Sequence, residues 1–319
     1  MNTRNFNNVE ILWKLTEESA QKTKTFMKLI ESKYNTKLED YWDLHKWSID
    51  HISEFWSEFW HVCGIICSKI FDQVIDKNVP MEDSPSWFEG ARLNFAENLL
   101  KYRDDHIALI SASEDGNIEK ITYAEMYEEA RLYAAALRKF GLKKGDIVAC
   151  YMSNRKEAVI AMLSVTSIGA IFTGALPQLG PQAVISRFQI VKPKLLFSVD
   201  RYRNNNEEIE MLMKLEEIAD ALPSLKKIVI VPSKEESKFK DISKIKNSCF
   251  LHDFLSTARE ADGSVTPMVF EQVSFSHPVF INYTSGTTGL PKALVVGAAS
   301  LLSVTRDFGS YGNEVRERV

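Results

Sequence analysis

The chain has 319 residues, 45% of them hydrophobic and 26% charged, with a formal net charge of −4, so it can bury a large core and carries no excess of either sign. That balance excludes the electrostatic footprint of a nucleic-acid or membrane-surface binder, and any nucleotide partner would be a small ligand at a local site. The four cysteines, at 63, 67, 150 and 249, form no disulfide framework. The polar start at 1–10 lacks the regions of a secretory signal and the end is no peroxisomal tripeptide, which makes the cytoplasm the expected compartment.

Residues 1–100 are expected to be mostly helical, an amino-terminal segment packed on the core. Five of the six tryptophans fall between Trp42 and Trp87. Ile52, Phe55, Trp56, Phe59, Trp60 and Cys63 recur at helical spacing, so their bulky groups share one face, and core packing is its expected role. His61 and Cys63 with Cys67 resemble half a metal site, but structural zinc takes four ligands and no second closely spaced set is present. Residues 78–86, with Pro80 and Pro85, read as a surface connection to the run Trp87-Phe88-Glu89-Gly90-Ala91-Arg92-Leu93-Asn94-Phe95-Ala96-Glu97-Asn98-Leu99-Leu100.

From 107 onward strand and helix alternate. A short strand at 108–110 is followed by a chain that resumes at Ile118. Thr122 and Glu125 form a capping box, with Met126, Ala130, Tyr133, Ala134, Leu137 and Phe140 as the apolar face of a helix closed by Gly141. Strands are expected at 147–151, 170–172, 194–199 and 227–231, and helices at 154–168, from Pro181, and at 207–221. The stretch 158–180 is uncharged and long enough to cross a bilayer. Ser164, Thr166, Ser167, Gly169, Thr173, Gly174 and Pro177 break it into a buried helix, a strand and a loop instead. Residues 233–247 are a charged surface connection, and 278–283 return to the sheet. The sequon at Asn282-Tyr283-Thr284 carries no expectation of glycan without secretion. This is the pattern of an α/β domain over 101–296 with a mostly parallel, helix-covered sheet, leaving 297–319 as a divergent tail.

The chemistry concentrates at Tyr283-Thr284-Ser285-Gly286-Thr287-Thr288-Gly289-Leu290-Pro291-Lys292. Glycines permit close backbone approach, the hydroxyls can donate to phosphoryl oxygens, and Lys292 supplies a point charge. The loop is not a Walker A sequence, because Ala293 follows the lysine and 294–296 read as a strand rather than a helix. A glycine- and threonine-rich turn without a ligand is the plain alternative.

This run resembles the phosphate-loop signature of the adenylate-forming acyl-coenzyme A synthetase superfamily. Trp47-Ser48, Phe55-Trp56-Ser57-Glu58-Phe59-Trp60, the run at 87–100, Arg187-Phe188, Lys192-Pro193-Lys194 and Phe197-Ser198 narrow the resemblance to its acetoacetate-activating branch, close kin of those that activate acetate and propionate. The likeness covers 10–296 and corresponds to the amino-terminal half of the family architecture. It implies the incomplete large domain of an adenylate-forming enzyme, preceded by an aromatic-rich helical segment. It also implies an acid–thiol ligase in which a carboxylate attacks the α-phosphate of ATP and coenzyme A then cleaves the acyl-adenylate. Thr284, Ser285, Gly286, Thr287, Thr288, Gly289 and Lys292 would hold the β- and γ-phosphates, with Lys292 as the candidate for catalytic phosphate stabilisation. Magnesium would be bridged by phosphates and by acids from elsewhere, and the partners are a small acid, ATP and coenzyme A, with no protein partner indicated. Relatives continue well beyond the loop, so this chain is expected to be inactive alone, and a silent fragment with a binding role or none is the competing reading. Gly297 stands where relatives commonly carry histidine, and Phe308-Gly309-Ser310-Tyr311-Gly312-Asn313-Glu314 only superficially resembles a further family element.

Overall fold

Three polar side chains, Asp40, Asn94 and Thr122, start helices in the computed structural model, which describes residues 17–114, 116–284 and 291–301. The chain divides after Gly64 into two compact units. The first holds α1 (Glu17–Tyr34), α2 (Tyr41–Asp50) and α3 (Ile52–Val62). Asp40 caps α2 by accepting the Trp42 and Asp43 amides at 2.8 and 3.1 Å, which satisfies donors that a helix start leaves orphaned. Met27, Ile30, Leu38, Leu44 and Trp47 form a core, with Phe26, Tyr34 and Phe55 against it. The Phe26 ring meets those of Phe55 and Phe59 edge-on at 5.7 and 6.1 Å, so the expected aromatic face of α3 does pack. Glu58 is buried among these groups and is held by the Lys33 ammonium at 2.7 Å and the Tyr34 hydroxyl at 2.8 Å.

The helical stretch expected to run to about 100 is shorter in the structure. Between α3 and α4 (Phe95–Leu99) the chain forms short strands: Cys67–Lys69, Gln73–Ile75, Trp87–Glu89 and Arg92–Leu93. Each is too brief to show an alternating pattern, and Leu93 pairs with Val273 from a distant part of the chain. At Gly90 the backbone has φ +84°, a left-handed conformation that favours glycine in this turn.

A hairpin of Ile107–Ala112 and Ile118–Thr122 leads into α5 (Tyr123–Phe140). Its capping box is complete: the Glu125 amide donates to the Thr122 hydroxyl at 3.1 Å and the Thr122 amide donates to the Glu125 carboxylate at 2.8 Å. Gly141 ends the helix at φ +98°. The central sheet then assembles from β1 (Ile147–Tyr151), β2 (Ile171–Ala175), β3 (Leu195–Val199), β4 (Lys227–Val231), β5 (Ser248–Phe250), β6 (Pro278–Thr284) and β7 (Lys292–Gly297). Their spatial order is β5-β4-β3-β1-β2-β6-β7. Every neighbouring pair is parallel except β6 with β7. All five residues of β3 are buried. Since adjacent residues point to opposite faces, both faces of the sheet centre are covered. The connecting helices α6 (Lys156–Ser167), α7 (Pro181–Val191), α8 (Leu212–Ala221) and α9 (Leu251–Ser256) do this, α5 packing on α6 and α9 and α7 packing on α8. The uncharged stretch at 158–180 is therefore α6, β2 and a loop, and among the described residues no helix is long and apolar enough to cross a membrane.

The helix expected at 207–221 begins only at Leu212. Glu207–Glu210 instead pairs with Arg201–Asn204 as a hairpin, since Asn205 and Asn206 both take positive φ, 52° and 63°, as a two-residue hairpin turn requires.

Asn94 joins segments far apart in sequence. It is fully buried, its amide donating to the carbonyls of Thr166, Ser167 and Glu271 at 3.0, 3.1 and 2.8 Å while its oxygen accepts the Glu97 amide at 3.1 Å. Asn94→Asp keeps the cap acceptor but turns an oxygen toward three carbonyls. It is expected to cost about 3 kcal/mol, read as a lower urea midpoint at unchanged m-value, and at least as much as Asn94→Ala. An Asp variant as stable as the parent would contradict this account of the amide.

Candidate phosphate-binding site

The carboxyl ends of the parallel strands share one edge of the sheet, where ligands of open α/β folds bind. β6 delivers Thr284 to that edge, and β7 departs from it antiparallel with Lys292 directly opposite Thr284. Both residues are exposed. Ser285, Gly286, Thr287, Thr288 and Gly289 lie outside the described residues. The structure therefore brings together the two flanks of the expected loop and fixes its closure in register.

Alternate residues on β6 share a face, and their cross-strand partners share it with them. Phe280 pairs with Phe172 on β2 and Val296 on β7, Asn282 with Leu294, and Thr284 with Lys292. The Phe95 ring covers this face at Phe280, edge-on at 5.0 Å, whereas Asn282, Thr284, Lys292 and Leu294 are exposed. Among the described residues this end of the face is thus exposed and carries one cation, Lys292. On the opposite face Ile281 is buried, and its carbonyl accepts the Thr173 hydroxyl at 2.7 Å. The Tyr283 hydroxyl donates to the Arg187 carbonyl at 3.2 Å, and burial pushes this phenol above its ordinary range, so it serves as an anchor rather than an acid. Gly297 ends β7 in tight quarters: a Cβ would stand 3.2 Å from the Phe275 carbonyl oxygen and 3.3 Å from that of His277.

At β1 and β3, where strand order reverses, the same edge is filled by side chains. Asp200, directly after β3, is fully buried. It accepts the Ser233 amide at 2.7 Å and the Arg201 Nε at 3.1 Å, with Lys240 at 3.4 Å. Burial alone would raise this carboxyl, but the Ser237 hydroxyl, the Ser233 amide and Arg201 outweigh it and hold the group below the usual aspartate range. The Ser237 hydroxyl approaches without closing a regular hydrogen bond. Tyr151, also buried, donates its hydroxyl to the Leu179 carbonyl. Sequence reasoning passed over Asp200; its signal is an acid placed immediately after a mostly apolar strand, Leu195-Leu196-Phe197-Ser198-Val199. Among the described residues no group of three or more histidine, cysteine, aspartate or glutamate side chains could hold a metal ion.

Residues 95–318 match the AMP-binding enzyme family, a span that contains the sheet and the loop flanks. The chain belongs to that family. Residues 41–99 match the acetyl-coenzyme A synthetase N-terminus, so a second family segment covers α2, α3 and the short strands that follow. Acetoacetyl-CoA synthetase of Danio rerio is 43% identical over 295 residues, which is 92% of this chain and 44% of that protein. The Xenopus tropicalis acetoacetyl-CoA synthetase gives the same identity and the same coverage. The solved acetoacetyl-CoA synthetase from Streptomyces lividans superposes with a TM-score of 0.83 at 30% identity, covering 94% of this chain and 45% of that one. This AMP-binding enzyme chain thus has the adenylate-forming fold and spans somewhat under half the length of the relatives it matches.

Asp200 supplies a pH test of the filled edge. Its folded-state carboxyl titrates below the unfolded value of about 3.9. Its stabilisation is present above that value and is lost as pH falls through the lowered folded one. Asp200→Asn is expected to lower Tm by about 5 °C at neutral pH, with the gap narrowing as pH falls below the unfolded value of about 3.9. Thermal scans across that range would show a constant gap if the ionised carboxylate contributed nothing.

Proposed function

We propose that this chain is the amino-terminal half of an acetoacetate–CoA ligase. In the complete enzyme, acetoacetate attacks the α-phosphate of ATP, acetoacetyl-adenylate and pyrophosphate form, and coenzyme A displaces AMP to give the thioester. The observation that carries this reading is the 43% identity to acetoacetyl-CoA synthetase along 92% of the chain, with Thr284 and Lys292 paired at the open sheet edge. The acid is ionised at neutral pH and needs no general base, so the protein's task is to orient the triphosphate and neutralise the charge that builds on it.

In this reading Thr284, Ser285, Thr287 and Thr288 donate to the β- and γ-phosphates, Gly286 and Gly289 let the backbone approach, and Lys292 adds the mobile positive charge. Magnesium would arrive on the ATP phosphates, with its protein ligands outside these residues. Four cysteines, none in a disulfide, support a reducing compartment such as the cytoplasm. Acetate or propionate is the second reading, favoured by the match of 41–99 to an acetyl-coenzyme A synthetase N-terminus.

ATP–pyrophosphate exchange with a panel of short acids, using a full-length enzyme that carries this half, distinguishes the two. Acetoacetate is expected to give the strongest exchange, and negligible signal with it beside strong acetate exchange would reverse the assignment. In the same enzyme Lys292→Ala is expected to slow adenylation by about a hundredfold at little cost in Tm, since its side chain is exposed. Gly286→Val and Gly289→Val should be more severe, because a β-branched residue resists positive φ and crowds the backbone donors. Thioester formation from presynthesised acyl-adenylate should be spared in all three. Equal loss in both half-reactions would remove the phosphate role from the loop.

A further inference from the structure

The central sheet parts at its carboxyl edge between β2 and β6. These strands are paired only at Phe172 with Phe280 and Thr173 with Ile281. Beyond that row each goes on with its other neighbour: β2 follows β1 as far as Ala175 opposite Tyr151, and β6 follows β7 as far as Thr284 opposite Lys292. Gly174 and Asn282, one step past the last shared row, are both exposed. Asn282, Tyr283 and Thr284 therefore extend about 10 Å along a strand end laddered on one side alone. Such an end resists displacement less than one laddered on both sides, and Thr284 is its tip.

Two hydroxyls fasten it. Thr173 is buried, 1% exposed, and its hydroxyl donates to the Ile281 carbonyl at 2.7 Å, across the row where the strands part. Tyr283, two residues on and on the same face as Ile281, donates to the Arg187 carbonyl of α7 at 3.2 Å. The Tyr283 bond ties the strand end to a helix, and the Thr173 bond ties it to the neighbouring strand at the fulcrum. Packing at that row needs no hydroxyl, since valine fills a buried strand position as well, and a buried hydroxyl costs free energy unless it is bonded. The threonine is thus explained by its bond rather than by its shape.

We propose that Thr173 is a positioning residue for the phosphate-binding pair Thr284 and Lys292, acting through the Ile281 carbonyl. It touches no phosphate itself. It fixes the point from which β6 diverges, and the register with β7 carries that placement across to Lys292. A displacement of about 1 Å at a contact to the reacting group is enough to slow a transfer by up to about a hundredfold. The consequence for ATP rests on the ligase reading, whereas the consequence for the strand does not.

Thr173→Val removes the hydroxyl at nearly the same shape and Thr173→Ser keeps it, so the two variants separate the bond from the packing. Amide hydrogen exchange of the purified chain is expected to run about fivefold faster in Thr173→Val for peptides covering 281–284, with β1 and β3 unchanged and Thr173→Ser near the parent. Unchanged exchange at 281–284, or the same acceleration in all three strands, would overturn the proposal. In a full-length enzyme carrying this half, Thr173→Val is expected to slow ATP–pyrophosphate exchange about tenfold and to spare thioester formation from presynthesised acyl-adenylate, a split that general destabilisation does not produce. Thr173→Ser is expected to restore the exchange. Undiminished pyrophosphate exchange in Thr173→Val would also overturn the proposal. A parent enzyme with no exchange for any acid would instead sink the ligase reading, and the hydrogen-exchange result would still decide whether Thr173 holds the strand.

Discussion

The buried amide of Asn94 is the constraint on which the second unit is arranged. Three carbonyls, from Thr166 and Ser167 at the end of α6 and from Glu271 just before β6, converge on its one NH2 group. None of these carbonyls is left without a partner inside the fold, where an unmade bond costs more than a made one contributes. The same side chain starts α4 through its oxygen, so α4, α6 and the approach to β6 are set by one residue of two functional atoms. Asn98, one turn later, repeats the logic: it accepts the Ile66 amide at 2.7 Å and donates to the Ile66 carbonyl at 2.9 Å. Chain entry into the unit and the return to the sheet are thereby tied to one short helix.

Along the carboxyl edge of the sheet the described residues differ in exposure. At β1 and β3 the edge is occupied by Asp200, Tyr151 and the segment bonded to them, a hydrogen-bonded plug that no phosphate could displace without stranding a buried carboxylate. At β6 and β7 Asn282, Thr284, Lys292 and Leu294 are exposed. The filled centre of this edge and its exposed border at β6 and β7 thus differ, and the register sets the Thr284 hydroxyl beside the Lys292 cation.

Much of this was legible in the residues. The strands at 147–151 and 227–231 match their structural bounds, since a parallel strand buried on both faces is written as a continuous apolar run. The capping box of Thr122 and Glu125 and the stop at Gly141 were legible atom by atom because caps are local. Illegible were features whose causes lie far apart in sequence. The strands between 67 and 93 exist because partners such as Val273 hold them. The hairpin at Arg201–Asn204 and Glu207–Glu210 was hidden because Glu207–Glu210 runs straight into the helical pattern beginning at Leu212, and only Asn205-Asn206 marked its turn. Asp200 carried no expectation, because the Ser233 amide that it accepts comes from a segment beyond the next strand. The floor of the candidate site, by contrast, could be inferred from strand alternation alone once β6 and β7 were paired.

The last strand of the sheet has a consequence for handling the chain. Among the described residues β7 borders only β6, and Leu294 and Val295, which point to opposite faces, are 55% and 57% exposed. Lys292 is the one charge in the strand, and it stands at the end rather than among the four apolar residues that follow. An unpaired edge that is apolar on both sides is a template for another strand, so solubility of this stretch when produced by itself is governed by six residues at its border rather than by its well-filled core.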